Sequence, residues 1–255
     1  MSHRLPMAVL CVALVLLLAP IASACPDRCT HAGHHPMQDD AIAEVEAVDT
    51  EDDASDWDVN EPRGESFEIE FSVDEGTWMS VDVSPDGETI VFDHLGDLFT
   101  IPVAGGEASR LTRGLAWDYQ PRWSPDGSKI LFTSDRAGGN NLWTMNADGS
   151  EMEALTDTGE KDTNSGAWSP DGDWIASKRR LTDSSSIGTT ELWLFHRLGG
   201  DGIQVTKKDE IPEVGAPVFH PDGRFIYFES RPRRFSYDQN PYRGIYQIRK
   251  FDRVT

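Results

Sequence analysis

The chain has 255 residues and a formal net charge of −21, from 44 acidic side chains against 23 lysines and arginines. This balance excludes nucleic acid as a partner, because binding a phosphate backbone requires clustered lysine and arginine. Sixteen of the acidic residues lie between Asp39 and Glu75, where only Arg63 opposes them, so the rest of the chain is mildly acidic.

The first 24 residues have the pattern of a secretory signal peptide. The apolar run Met7–Leu18 follows one arginine and one histidine, and the small residues Ala22-Ser23-Ala24 form a cleavage site. The run is too short to favour a transmembrane helix. We therefore expect an exported protein, periplasmic or secreted, with no transmembrane segment after signal removal. Cleavage would leave Cys25 first, and lipid attachment there, giving an outer-membrane lipoprotein, is the alternative.

Residues 25–66 are predicted to be a disordered linker. Their acidic stretch contains few large apolar residues and cannot bury enough surface to offset its ordering entropy. A disulfide or a metal site is the alternative for the first part of this segment, whose spacing matches no firm zinc pattern, so we predict no metal and no cofactor. The side chains concerned are Cys25, Cys29, His31, His34 and His35.

One tetrapeptide occurs four times in the rest of the chain, as Ser-Pro-Asp-Gly three times and His-Pro-Asp-Gly once, at intervals of 40, 45 and 51 residues. Each copy suits a type I turn, since proline presets φ, aspartate bonds nearby backbone and glycine follows. The predicted structural turn residues are Pro85, Asp86, Gly87, Pro125, Asp126, Gly127, Pro170, Asp171, Gly172, Pro221, Asp222 and Gly223.

Short β-rich runs surround every turn in the same order. An apolar strand precedes the turn, a second strand follows it, a third contains an apolar or aromatic cluster such as Leu142-Trp143, and the first three repeats end in Leu-Thr or Val-Thr. A period of this length predicts an all-β fold, a β-propeller of four-stranded blades. A β-sandwich is disfavoured because the whole order recurs. The blades are expected near 77–112, 117–156, 163–206 and 214–255.

Both ends of the repeat region, 67–255, are incomplete as blades. Phe67–Phe71 alternates apolar and acidic residues and is predicted to be an orphan outer strand, whereas the last repeat stops at its third strand, Gly244–Asp252. One interpretation closes four blades into a small ring, with the orphan strand completing the last blade. The favoured interpretation is that these four repeats are an incomplete piece of a larger propeller.

The repeat resembles the blades of TolB-like, WD-repeat-like propellers, which also occur in tricorn-type proteases, in prolyl oligopeptidase-type peptidases and ahead of some bacterial amidohydrolase domains. The resemblance runs from about Phe67 to Thr255. The stretches 74–87 and 114–123 look most similar to the amidohydrolase-linked propellers. Known relatives are larger rings, which is why the resemblance implies further blades.

Motifs of catalysis are missing from the sequence. It has no Gly-x-Ser-x-Gly elbow, no His-Glu-x-x-His pair and no phosphate-cradling glycine loop. His94, His196 and His220 stand singly within β repeats, where surface or turn positions explain them. We therefore predict that this chain has no catalysis of its own.

The candidate binding residues stand just before the first strand of a blade, which is innermost, so that their loops would rim the central channel. Exposed aromatic side chains among polar groups are typical of recognition surfaces. For the tryptophans, wedging between blades as core is the equal alternative, whereas the surface interpretation is preferred for Asp118 and Asn164. A long, basic insertion at Arg231–Arg243 is a second candidate. The rim residues are Trp78, Trp117, Asp118, Tyr119, Asn164, Ser165 and Glu213.

These observations predict an exported TolB-like propeller module that acts as a non-catalytic scaffold binding a protein or peptide. The alternative is the N-terminal propeller of a larger metal-dependent amidohydrolase or peptidase, where it would position or gate substrate. Fold alone does not decide between the two.

Overall fold

The structure is a computed structural model that describes residues 58–254 except 63, 68, 70, 158, 160–161, 181–188, 208, 212 and 232–245. The predicted signal peptide, both mature cysteines with their neighbouring histidines, most of the acidic linker and nearly all of the basic insertion lie outside the described residues. Within the described part, no helix is long and apolar enough to cross a membrane.

Fifteen strands in the described residues form four antiparallel sheets, each built from consecutive strands. The first sheet contains β1 (Val81–Val83), β2 (Thr89–His94), β3 (Asp97–Pro102) and β4 (Ser109–Arg110). The second contains β5 (Asp118–Trp123), β6 (Lys129–Ser134), β7 (Asn141–Asn146) and β8 (Glu153–Ala154). The third contains β9 (Thr163–Trp168), β10 (Trp174–Arg180), β11 (Thr190–His196) and β12 (Ile203–Gln204). The fourth contains β13 (Glu213–Phe219), β14 (Phe225–Arg231) and β15 (Gln247–Asp252).

The four tetrapeptides form the predicted turns. The glycine N–H donates to the carbonyl of the first turn residue, at 2.8 Å from Gly87 to Ser84, and each glycine has a φ between 72° and 77°. The serine hydroxyl donates to the turn aspartate and accepts the N–H that opens the second strand, as in Ser124 with Asp126 and Lys129. In the fourth turn, the Nδ1 atom of His220 accepts the Asp222 N–H at 3.3 Å.

The repeated threonine after each outer strand has a structural purpose. Its hydroxyl oxygen accepts the N–H of a leucine near the start of the third strand, at 2.9 Å from Leu98 to Thr112 and at 3.0 Å from Leu142 to Thr156. Leu192 and Thr206 repeat the bond at 2.9 Å. The outer strands are only two residues long, so this side-chain bond extends their pairing with the third strand.

The hydrophobic core consists of three clusters, one between each pair of successive sheets. Val91 and Leu98 of the first sheet pack with Ile130, Phe132 and Met145 of the second. The other clusters hold Leu131, Leu142, Leu155, Ile175 and Phe195, then Ala176, Leu192, Leu194, Val214, Phe219, Ile226 and Phe228. Since strands β1, β5, β9 and β13 contact one another in turn, they are the innermost strands of consecutive propeller blades.

The described residues form an open arc of four blades, an incomplete propeller, as the favoured interpretation predicted. Among the described residues, the first and fourth sheets do not pack together as successive sheets do, so these residues do not form the closed four-bladed ring. The predicted orphan strand is wrong for the positions described, because Phe67, Ile69 and Phe71 lie outside any strand and are exposed. Alternating residues make a strand only where a sheet edge pairs with their backbone.

Candidate binding surface

Bulges near the start of the innermost strands hold successive blades in register. Gln120 and Ser165 have φ of 55° and 57°, and the strand register shifts beside them. The carboxylate of Asp93, in the first blade, accepts the N–H of Ser80 at 2.8 Å and that of Gln120, in the second, at 2.7 Å. The Gln120 side chain then accepts the Ser165 N–H, in the third, at 2.9 Å. Sequence reasoning missed Asp93 and Gln120, each of which accepts an N–H from the next repeat.

The rim residues do not all lie in approach loops, because the innermost strands begin earlier than their apolar runs indicate. Asp118, Tyr119, Asn164, Ser165 and Glu213 are strand residues. These residues are polar, so the first residues of the strands do not show the apolar alternation that predicts a strand. The aligned bulges nevertheless bring these residues to one end of the blades.

The buried position of Asp118 corrects the surface interpretation made from sequence. Its side chain is fully buried and forms an ion pair with Arg136 at 2.5 Å, while its backbone N–H donates to the Gly96 carbonyl at 2.8 Å. Arg136 is also nearly buried, with 14% of its side chain exposed. A buried charge persists only when it is paired. The Asp118 side chain therefore has a structural role inside the second blade and is unavailable to a partner.

The two tryptophans remain at the surface, and neither is wedged into the core. Trp78 is 100% exposed and Trp117 is 55% exposed. The Trp117 backbone N–H donates to the Asp135 carboxylate at 2.7 Å, and the indole ring covers Gly96 so closely that a Cβ there would meet the ring at 2.9 Å. Gly96 follows Leu95 at the tip of the β2–β3 hairpin, where Leu95 is 62% exposed. The hairpin thus supports the Trp117 ring.

Exposed apolar side chains stand at this hairpin and in the segments that lead into β1 and β5. Met79 and His94, the last residue of β2, both lie close to Gly76. A Cβ atom on Gly76 would be only 2.8 Å from the Met79 sulfur and from His94 Nδ1. Leu115 is exposed two residues before Trp117. The apolar rim patch comprises Trp78, Met79, Leu95, Leu115 and Trp117.

The remaining rim residues form a polar continuation over the second, third and fourth blades. Asn164 is half-buried and accepts the Ser165 hydroxyl at 3.1 Å. Glu213 lies 3.4 Å from Arg231, and burial raises the pKa of its carboxyl although Arg231 and Lys178 counter that rise. Within the described parts of the chain, no three His, Cys, Asp or Glu side chains are grouped to hold a metal ion.

Tyr119 should ionise well above the usual pKa of a tyrosine side chain. Burial, with the carboxylates of Asp162 and Asp135, raises its pKa to about 12 from 10.0. Because the folded-state value is the higher one, its contribution to stability is fully present below pH 10 and is lost as the pH rises toward 12. Absorbance titration at 295 nm should show one late transition that Tyr119→Phe removes. A single transition near pH 10 in the folded protein would contradict this.

A series of antiparallel sheets, three with four strands and one with three in the described residues, whose first strands contact one another in turn, defines a β-propeller module. The model of the Tricorn protease N-terminal beta propeller domain family matches residues 79–244, and this chain belongs to that family. It is a TolB-like β-propeller, as the sequence predicted.

Relatives of this chain include peptidases, and TolB shares its fold. A Tricorn-like protease C-terminal subunit of Sulfurisphaera tokodaii is 31% identical over 154 residues, which are 60% of this chain and 17% of the relative. TolB from Acinetobacter baumannii superimposes with a TM-score of 0.54 at 22% identity, over 68% of this chain and 41% of that one. A puromycin-hydrolyzing peptidase of Mycobacterium tuberculosis gives 0.53 at 14% identity, over 72% and 29%. The chain thus spans less than half of each of these proteins, and the solved structures support the fold alone.

Proposed function

We propose that this propeller is an exported, non-catalytic module that binds an extended segment of a protein partner on the apolar rim patch. The observation that carries the proposal is the exposure of Trp78 and Trp117 in the segments that lead into the first strands of two successive blades. The Asp118 N–H, next to Trp117, donates to the Gly96 carbonyl of the first blade and joins the two blades there. Large apolar side chains grouped at a surface mark interaction sites, and aromatic anchors give contact area at low entropy cost.

The charge around the patch indicates what kind of segment would bind. Asp74 and Glu75 are exposed just before Trp78, and Asp135 lies beneath Trp117. These carboxylates favour a partner in which lysine or arginine flanks apolar side chains, because complementary charges steer encounter and suppress wrong partners. The partner class is therefore a basic, apolar peptide segment.

The test uses a fluorescent peptide with two leucines and a phenylalanine between lysines. The protein should bind it, and Trp78→Ala with Trp117→Ala should weaken binding by at least about tenfold, as expected for central aromatic anchors. Leu198→Ala is the matched control, because Leu198 is 77% exposed in the turn between β11 and β12. Equal affinities of the rim variant and the control would reject the patch as the site.

A peptidase-linked role is the second candidate, favoured by the Tricorn family match and by the relatives among peptidases. In that case the same patch would hold substrate for a catalytic domain of the whole protein. Native protein should then hydrolyse peptide arylamides, and the rim variant should raise KM with little change in kcat. Native protein that binds the peptide without hydrolysis would leave the scaffold role standing.

Export follows from the predicted signal segment and has its own test. N-terminal sequencing and intact mass of the protein from the native cell should give a chain that begins at Cys25. An acylated Cys25 would establish the lipoprotein alternative. A chain retaining Met1 in the cytosol would refute export.

A further inference from the structure

Neighbouring blades cover each other in the same way at every contact within the described chain. Each blade has a leading face, which packs on the blade before it, and a trailing face, which packs on the blade after it. Between the first two blades, Val91 and Leu98 belong to the trailing face of the first, whereas Ile130 and Phe132 belong to the leading face of the second. All four side chains are fully buried. A trailing face and a leading face also meet at the next two contacts between blades.

The trailing face of the fourth blade has no cover among the described residues. Ile248 is the second residue of the third strand in its blade, as Leu98 is in the first blade, but Ile248 is 80% exposed and Leu98 is 0% exposed. Tyr227 follows the first turn residue by seven positions, as Val91 does, and is half-buried. Val218 of β13 is exposed on the same side of the sheet. The described part of a single copy therefore leaves this apolar face open to water.

The leading face of the first blade is open in the corresponding way. Phe92 follows its turn serine by eight positions, as Phe132 does, but Phe92 is half-buried and Phe132 is fully buried. Phe99, stacked on Phe92 with ring centroids 5.6 Å apart, continues this face. Val83 directly precedes the turn serine, as Trp123 does in the second blade, yet Val83 is exposed whereas Trp123 packs against the core. No preceding sheet covers these side chains in the described part of the chain.

The two open faces also have complementary charges. Asp74, Glu75 and Glu88 are exposed just before β1 and β2 of the first blade. Lys250 of the fourth blade is exposed and lies two residues after Ile248, so it is on the trailing face. Opposite charges at the edges of two apolar faces steer these faces together and disfavour contact between two like faces. Because the first and fourth sheets of one described chain do not pack together, a second copy is needed to bring these faces into contact.

We propose that copies of this protein join head to tail, with the fourth blade of one copy packed on the first blade of another. Ile248 then takes the place that Leu98 has at the first contact between blades, and it covers Phe92. Such a contact is heterologous, because it joins two different faces. It gives a closed ring where the rotation between copies closes and a longer series where it does not. Contiguous apolar surface left open on a soluble protein marks interfaces of this kind.

Size-exclusion chromatography with light scattering measures the mass of the native protein at rising concentration. The mass should reach at least twice that of one chain, and Ile248→Asp should return it to one chain, because the new carboxylate would be buried at the contact without a partner. Folding should not suffer, since Ile248 is exposed in the single copy. Leu198→Asp is the matched control, because Leu198 is also exposed but lies in the turn between β11 and β12, and it should leave the mass unchanged.

A mixture of two variants tests the direction of the contact. Val83→Asp, on the leading face, should also give single chains, and mixing it with Ile248→Asp should restore dimers, since each variant keeps one intact face of opposite kind. Near-ultraviolet circular dichroism checks folding, and if Val83→Asp does not fold, Ile248→Asp and its control decide. The proposal is overturned if the native protein is a single chain at every concentration, if folded Ile248→Asp keeps the parent's mass, or if the two folded variants stay single when mixed. Neither variant changes the apolar rim patch, so peptide binding and self-association are measured separately.

Discussion

Replacement of Asp118 by alanine should lower the free energy of unfolding by about 3–5 kcal/mol, the usual cost of removing one partner of a buried ion pair. Arg136, with only 14% of its side chain exposed, would keep its charge and lose the carboxylate that now lies 2.5 Å away. Urea denaturation followed by tryptophan fluorescence measures the loss. This expectation replaces the sequence-based one, in which Asp118 was a surface residue that could be changed without loss of folding.

Two further variants show whether the burial of the pair is the cause. Asp118→Leu with Arg136→Met should recover most of the lost stability, because an apolar pair of similar volume is often as stable as a buried ion pair. Asp173→Ala should cost at most about 1 kcal/mol, since its pair with Arg197 is half-exposed on both sides. Equal losses for Asp118→Ala and Asp173→Ala would show that the buried pair contributes nothing special.

Truncation of Phe132 to alanine should cost about 3–5 kcal/mol, the range for buried phenylalanines. Its ring is fully buried in the cluster between the first two blades, among Val91, Leu98 and Met145. The cavity cannot collapse easily, because both neighbouring backbones are sheets fixed by hydrogen bonds. Thermal and urea unfolding should both report the loss.

Phe92→Ala is the matched control for that truncation. Phe92 is half-buried on the opposite face of the first blade, where its ring stacks on Phe99 at 5.6 Å. The Phe92 side chain has less apolar area removed from water than Phe132. The expected loss in the free energy of unfolding is therefore clearly smaller than for Phe132→Ala. A loss for Phe92→Ala as large as that for Phe132→Ala would mean that the core does not lie between blades as described.

The apolar rim patch depends on these same interfaces. Trp117 belongs to the second blade but lies on Gly96 of the first, and Asp93 of the first blade accepts the N–H of Gln120 in the second. A variant that loosens the contact of the first two blades should therefore weaken partner binding even if its own residue is remote from the patch. Phe132→Ala offers that comparison at temperatures where it remains folded.

The sequence by itself determined the architecture of this protein. Turn chemistry is local, because proline, aspartate and glycine in Ser-Pro-Asp-Gly act on their own backbone, and four copies set the period of the blades. The β-rich runs around the turns then located the second and third strands to within three residues, and β7 at its observed bounds. These features need no partner distant in the chain, which is why a single sequence reveals them.

Only the tertiary structure decided which candidate residues are available to a partner. Asp118 and Trp117 are adjacent in sequence, yet one is paired in the interior with Arg136 and the other lies open on Gly96. Burial and charge pairing arise from groups that the chain brings together over tens of residues, and no local pattern records that distance.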